Sequence, residues 1–242
     1  IDPALTAGAL AIAFRPMLRW YRSRWLDLVA SIYMYNEHRG YTALDRVLAA
    51  VRARWPEDQG FIAEIEKHRA DEHKHYLLFR RWFYKRGTMP LMVDRTCGHI
   101  DRLVRLTFGC HVDELDQEQV TGDRQEFARL CRVISLTERR GMRTVETLLQ
   151  SPLIHGDKQL QKIFHVVEVD EPSHWAPYEA WLTRNQGGEP SWNERIADKI
   201  VHATMLLVKL PALYLNPFVR RRSDWPDASD PPQGLAAWGS CR

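Results

Sequence analysis

Glu72-His73-Lys74-His75 and Glu171-Pro172-Ser173-His174 decide how this chain is read. Each is a Glu-x-x-His, and each has a lone Glu upstream: Glu37 lies 35 residues before Glu72, and Glu138 lies 33 residues before Glu171. Residues three apart on a helix share a face, so Glu72 and His75 point the same way, as do Glu171 and His174. In that order, four carboxylates and two imidazoles can fill the inside of a four-helix bundle with two metal ions. Buried together without cations, the carboxylates would repel one another and lose hydration at a cost of several kcal/mol each. Two divalent cations cancel that charge. Oxygen donors mixed with imidazole suit iron or manganese, and the absence of thiolates in the set argues against structural zinc or an iron–sulfur cluster.

The repeat extends beyond the ligands. Glu37-His38-Arg39-Gly40 is echoed by Glu138-Arg139-Arg140-Gly141, and a Trp follows each motif histidine by seven residues, Trp82 after His75 and Trp181 after His174. Tyr76 and Phe79 correspond to Trp175 and Tyr178. A single Glu-x-x-His means almost nothing. Two copies with matched upstream Glu and matched flanks predict two similar helix pairs with a dinuclear centre on the axis between them.

Hydrophobic periodicity predicts helices almost everywhere and calls for no sheet. The first runs from about Met17 to Arg54, with Trp20, Leu26, Leu28, Ile32, Tyr35, Leu44, Val47 and Leu48 at helical intervals. Trp55-Pro56-Glu57-Asp58 reads as a stop followed by a start, and the second helix runs to about Lys85, before Gly87 and Pro90. Residues 91–122 form a crossover with a short helix near Asp101–Phe108. The third helix spans about Asp123–Leu149 and the fourth about Asp157–Leu182, with Pro172 expected to kink it. The fold class is thus all-α, a four-helix bundle with one long crossover over residues 1–190, followed by a C-terminal helical extension and irregular tail over 191–242.

These residues resemble the ferritin-like di-iron carboxylate superfamily, which includes bacterioferritins, rubrerythrins, ribonucleotide reductase small subunits and bacterial multicomponent monooxygenases. The resemblance covers roughly residues 17–183 and implies an iron pair, iron–iron or iron–manganese, that reacts with dioxygen or peroxide. Carried over by position, Glu37 and His75 would bind one iron, Glu138 and His174 the other, and Glu72 and Glu171 would bridge. Tyr178, one turn beyond His174, is a candidate redox tyrosine, although core packing is its plainer reading. Tyr33 and Tyr41, one turn either side of Glu37, carry the same two readings. Phe79 stands where the resemblance implies the radical tyrosine of reductase small subunits, which counts against that role in the first half. His68, one turn before Glu72, reads as a supporting or surface residue rather than a third imidazole ligand. His165, Glu168 and Asp170 crowd the second motif and could orient a ligand or simply meet solvent.

Composition narrows the partners. With 242 residues and 45% hydrophobic content the chain can bury a substantial core. A net charge of +3, with charges dispersed, gives no indication of nucleic acid as a partner. Cys97, Cys110, Cys131 and Cys241 form no C-x-x-C pair and read as reduced cytoplasmic thiols, so electrons for any redox chemistry would come from an external donor protein. The chain starts at Ile1 without Met, so a preceding segment is anticipated, and Ala4–Phe14 reads as a packing arm.

Residues 196–222 are apolar but interrupted by Lys199, His202, Lys209 and Pro211, and end in Arg220-Arg221-Arg222. They are expected to cap the bundle or bury a homodimer face, with peripheral membrane contact as the alternative. The leading functional expectation is an oxygenase or oxidase that uses dioxygen on a small organic or lipid-like substrate. The alternatives are a ferroxidase or iron-handling protein, disfavoured because cage-forming relatives are shorter, and a non-catalytic scaffold subunit of a larger complex.

Overall fold

The computed structural model describes residues 3–93 and 97–228, with side chains from Met17 onward. The described elements are α1 (Pro3–Arg54), α2 (Gln59–Lys85), α3 (His99–Phe108), α4 (Gln117–Gly122), α5 (Arg124–Leu149), α6 (Pro152–His155), α7 (Lys158–Asp170), α8 (Pro172–Arg184), α9 (Trp192–Thr204) and α10 (Leu210–Leu215). A π-helical turn, Met205–Lys209, joins the last two. The protein is all-α: no strand occurs among the described residues, and Leu91 and Arg221 form an isolated bridge. The expected packing arm at Ala4–Phe14 and the tail residues Pro231, Pro232 and Cys241 concern side chains outside those described.

Local chemistry sets the boundaries. The Asp58 side chain accepts from Phe61 N at the start of α2, and the left-handed Gly87 (φ 62°) follows its end. Asp123 caps α5 by accepting from Gln125 N and Glu126 N, and Asp157 caps α7. The fourth long helix is interrupted at Glu171, because Pro172 has no N–H to donate. The break is local: Glu171 keeps helical angles (φ −47°, ψ −44°), His174 N donates three residues back to Glu171 O (2.9 Å), and Ser173 Oγ donates to Asp170 O (2.8 Å). The sequence reading missed α4 and α6, which are too short to show periodicity.

α1 packs on α2, α5 packs on α7 and α8, and α2 bridges the pairs by contacting both halves of the interrupted helix. The crossover helices α3 and α4 lie against α1 and α5. α3 is bolted to α1: Asp101 accepts from Tyr35 Oη (3.1 Å) and Arg39 Nη2 (2.8 Å), and Asn36 Oδ1 accepts from His99 N (2.7 Å). Of three buried apolar clusters among the described residues, two flank the acids. One holds Leu44, Ile65, Phe127 and Trp181; the other holds Met34, Phe79, Val145 and Phe164. On each of the four long helical stretches the motif residues fall where one cluster gives way to the other, so the acids sit between two greasy layers.

The C-terminal extension folds back onto this bundle. Ala197 and Val201 of α9 enter the first cluster, and Glu194 both completes a capping box with Ser191 and pairs with Arg132 of α5 (2.9 Å). Beyond α10, Met92 N donates to Arg220 O (2.7 Å), and Asp227 accepts from Tyr76 Oη and Arg80 Nη1, each at 2.6 Å. α9 thus packs on α3 and α5, whereas Leu206, Leu207, Val208, Leu215 and Phe218 remain exposed. Trp20, expected on the apolar face of the first helix, is also exposed. No described helix is long and apolar enough to cross a membrane.

Candidate metal centre

Four helical stretches carry the motif residues to one place. Glu37 comes from α1, Glu72 and His75 from α2, Glu138 from α5 and His174 from α8, and all five are buried. Their donor atoms fall into two groups that could each hold a metal ion: Glu37, Glu72 and His75, and His68, Glu72, Glu138 and His174. Glu72 belongs to both. Within the first group, His75 Nδ1 lies 3.2 Å from Glu37 Oε2. Within the second, His174 Nδ1 lies 3.4 Å from Glu72 Oε1, and His68 Nε2 lies 3.7 Å from both Glu72 Oε1 and Glu138 Oε1.

Two sequence expectations change here. His68 is no surface residue: it is 2% exposed and joins the second group, because positions 68, 72 and 75 share one face of α2. Glu171, expected to bridge, lies outside both groups. It borders the same small cavity as Glu37, Glu72 and Glu138, with Oε2 buried and without a hydrogen-bond partner. The helix break at Pro172 falls on this residue, so its backbone does not repeat the setting of Glu72 inside α2.

The outer partners of the histidines exchange across the two halves. Asp170, immediately before Glu171, hydrogen-bonds His75 Nε2 (2.9 Å), while Asp71, immediately before Glu72, stands 3.7 Å from His174 Nε2. A carboxylate on the far nitrogen leaves Nδ1 of His75 to face the acids, the orientation a metal-ligating histidine needs. Lys74 ties both aspartates down, at 2.6 Å from Asp71 and 2.7 Å from Asp170. Against the pull of burial, His174, Lys67 and Lys74 hold Asp71 well below the usual carboxylate range. Burial also opposes the charge on His75, yet Asp170 and Glu37 raise it to about 9.

The acids themselves are driven the other way. Burial, then Glu37, Glu138 and Glu171, push Glu72 well above its ordinary value, and burial followed by Glu138 does the same to Glu171. Glu138 is pushed up to about 8 by burial and Glu37. Burial and the neighbouring His174 and His75 hold His68 neutral, well below its ordinary value. Buried acids raised by one another, beside the neutral imidazoles of His68 and His174, form a set whose repulsion a cation removes. Buried donor atoms without hydrogen-bond partners point the same way: His68 Nε2, His174 Nδ1 and Glu171 Oε2. The residues fit divalent ions bound by oxygen and imidazole.

Room is provided by glycines one turn after each lone Glu. A Cβ on Gly40 would lie 2.0 Å from Glu72 Oε2, and a Cβ on Gly141 would lie 3.4 Å from Glu171 Oε1. Glycine is thus required for space beside the paired acid at position 40, whereas a Cβ at position 141 would only make a close contact. Two small cavities adjoin the groups. One, of about 50 Å³, is lined by Tyr33, Glu37, Glu72, Glu138 and Glu171; the other, of about 40 Å³, is mostly apolar and reaches His68 and Glu138. Ile100 of α3 and Thr137 line both, so the crossover roofs the site. A larger cavity of about 640 Å³ on the outer side of α5, lined by Arg132, Arg139 and Arg143 among others, includes none of the motif residues.

Tyr178 is fully buried, with its hydroxyl 3.1 Å from His68 Nδ1, and burial raises its pKa well above the ordinary value. It touches the second group through His68. Tyr33 lines the cavity, whereas Tyr41 packs against His73 and Tyr76. His165 and Glu168 pair with each other on the outside (3.0 Å) and take no part. Asp71 was not singled out from the sequence; the signal that could have found it is the Asp that precedes the paired Glu in both motifs. Comparison of the chain with known protein families, curated proteins and solved structures gives no match.

Proposed function

We propose that the protein is a dioxygen-activating non-haem di-iron oxidoreductase built on a ferritin-like bundle, an oxygenase or oxidase acting on a small organic or lipid-like substrate. The observation that carries this reading is the sharing of Glu72 between two buried ligand groups beside small cavities. Glu37 and His75 would hold one ion, and Glu138, His174 and His68 the other, with Glu72 bound to both and Glu171 supplying a further carboxylate from the cavity wall. When bound, the metal pair supplies the electrons and open positions for reducing dioxygen.

The chain's own residues do the rest. Asp170 fixes the tautomer of His75 through its Nε2. Tyr178 Oη holds Nδ1 of His68 by a hydrogen bond, which would leave Nε2 turned toward the second ion. Ile100 and Val104 of α3, with Leu44 and Val133, keep the smaller cavity apolar, which excludes water and admits dioxygen-sized guests. No flavin, nicotinamide or C-x-x-C signature is present in the sequence, so electrons are assigned to an external donor protein.

The test is oxygen uptake by protein loaded anaerobically with ferrous iron and then mixed with air-saturated buffer. About one dioxygen consumed per iron pair, lost in Glu72→Ala, is expected. Iron bound without oxygen uptake would defeat the reading and leave metal binding standing.

A further inference from the structure

We propose that the surface formed by residues 18–25 of α1 and by the π turn, α10 and Phe218 docks onto a bilayer bearing anionic lipid. The two segments make one surface. Arg24 donates from Nε to Tyr214 O and from Nη2 to Leu213 O, each at 2.9 Å, and the Tyr214 ring packs 6.0 Å from Tyr21 and 5.7 Å from Trp25. Met205 anchors the π turn in a buried cluster with Leu28, Ile32 and Tyr35. What this leaves outward is apolar and large: Phe218 is 86% exposed, Leu207 76%, Leu215 69% and Trp20 48%, with Leu18, Leu206 and Val208 also exposed. Single exposed apolar residues are ordinary; a cluster of this size on two packed segments marks an interaction surface.

Charge identifies the occupant. From Pro3 to Leu26 and from Lys199 to Ser223 the sequence contains no Asp or Glu, in a chain with 31 acidic residues among 242. The same stretches carry Arg15, Arg19, Arg22, Arg24, Lys199, Lys209 and Arg220-Arg221-Arg222. Arg221 is engaged inward by Asp27 and the Arg22 guanidinium lies against Gly156, while Arg19 and Arg220 stand exposed. The overall charge of +3 conceals this segregation.

A second copy of the chain seated here by twofold symmetry would bring basic residues against basic residues, which costs affinity. An anionic lipid surface complements both features: aliphatic side chains and Phe218 enter the acyl boundary, Trp20 and Tyr21 suit the headgroup level, and the arginines meet lipid phosphate. The segment lies on the membrane rather than through it, in keeping with the absence of a spanning helix among the described residues. None of its residues borders the cavities at the acids, so the inference stands apart from the proposed chemistry.

The experiment is co-sedimentation of the full chain with phosphatidylcholine vesicles, with and without about 30% phosphatidylserine, at low and high salt. Bound protein is expected to rise about tenfold or more with the anionic lipid and to fall again in high salt. The Leu207→Ser/Phe218→Ser double variant should lose that binding with an unchanged melting temperature, since both side chains are exposed. Equal partition onto neutral and anionic vesicles, or no co-sedimentation, would overturn the proposal. So would light scattering that shows a dimer in solution which the same double variant dissociates, because the surface would then be a protein interface.

Discussion

The two halves of the molecule carry the same motif and build it to different tightness. In the α1–α2 half, Glu72 sits within an unbroken helix, packs against the bare face of Gly40 and joins both ligand groups. In the α5–α8 half, Pro172 breaks the helix at Glu171, Gly141 leaves slacker space, and the acid borders the cavity without joining a group. The outer aspartates differ in the same sense: Asp170 makes a full hydrogen bond to His75, while Asp71, held by two lysines, stands off from His174. His68 fills part of the looser side as an additional imidazole. Repetition of ligand types is therefore not repetition of roles. The paired acid on the continuous helix is the one that falls in both groups able to hold an ion.

This difference can be tested pairwise. The largest effect is expected from Glu72→Ala, which should remove both ions, whereas Glu171→Ala should leave about half the metal or more; metal analysis after anaerobic loading decides, and equal loss would erase the distinction. Next come the glycines. An Ala at position 40 must displace the Glu72 carboxylate, a flexible end, so Gly40→Ala should cost about 1–3 kcal/mol of stability at most and yet lose most metal binding. Gly141→Ala meets only a tight contact and should retain metal with a small change in melting temperature. Asp170→Asn is expected to weaken metal binding by roughly 10–100-fold, and Asp71→Asn by less, as measured by competition with a chelator.

The smallest effect is one of pH. In the metal-free chain Glu138 is raised from an ordinary 4.5 to about 8, so the folded state keeps a proton that the unfolded chain has released. Stability from this group is full below about pH 4.5, declines as pH rises and levels off above about 8. Metal ions displace that proton, so the gain in melting temperature on adding ferrous or manganous ion should grow from about pH 6 to 8. A gain independent of pH over that range would show that Glu138 is not a ligand.

Much of this architecture was legible in the chain. The ends of the first and second helices near Arg54 and Lys85 follow from Pro56, Asp58 and Gly87, all local signals. The convergence of Glu37, Glu72, His75, Glu138 and His174 follows from three-residue spacing repeated in both halves. His68 was not legible as a group member, because its membership depends on where α5 and α8 arrive, a tertiary fact. The exchange of Asp71 and Asp170 between halves is tertiary too, although the matched Asp before each paired Glu announces it. Trp20 misled because helical spacing shows that a face is apolar without showing what covers it. Summed charge hid the acid-free stretches because it averages over position.

We propose above all that two ions share Glu72 inside the bundle. Anomalous X-ray scattering at the iron edge, on crystals loaded anaerobically with ferrous iron, tests it most directly. Two peaks about 3.5–4 Å apart, with the Glu72 carboxylate touching both, are expected. A single peak, or two peaks with Glu72 bound to neither, would contradict it.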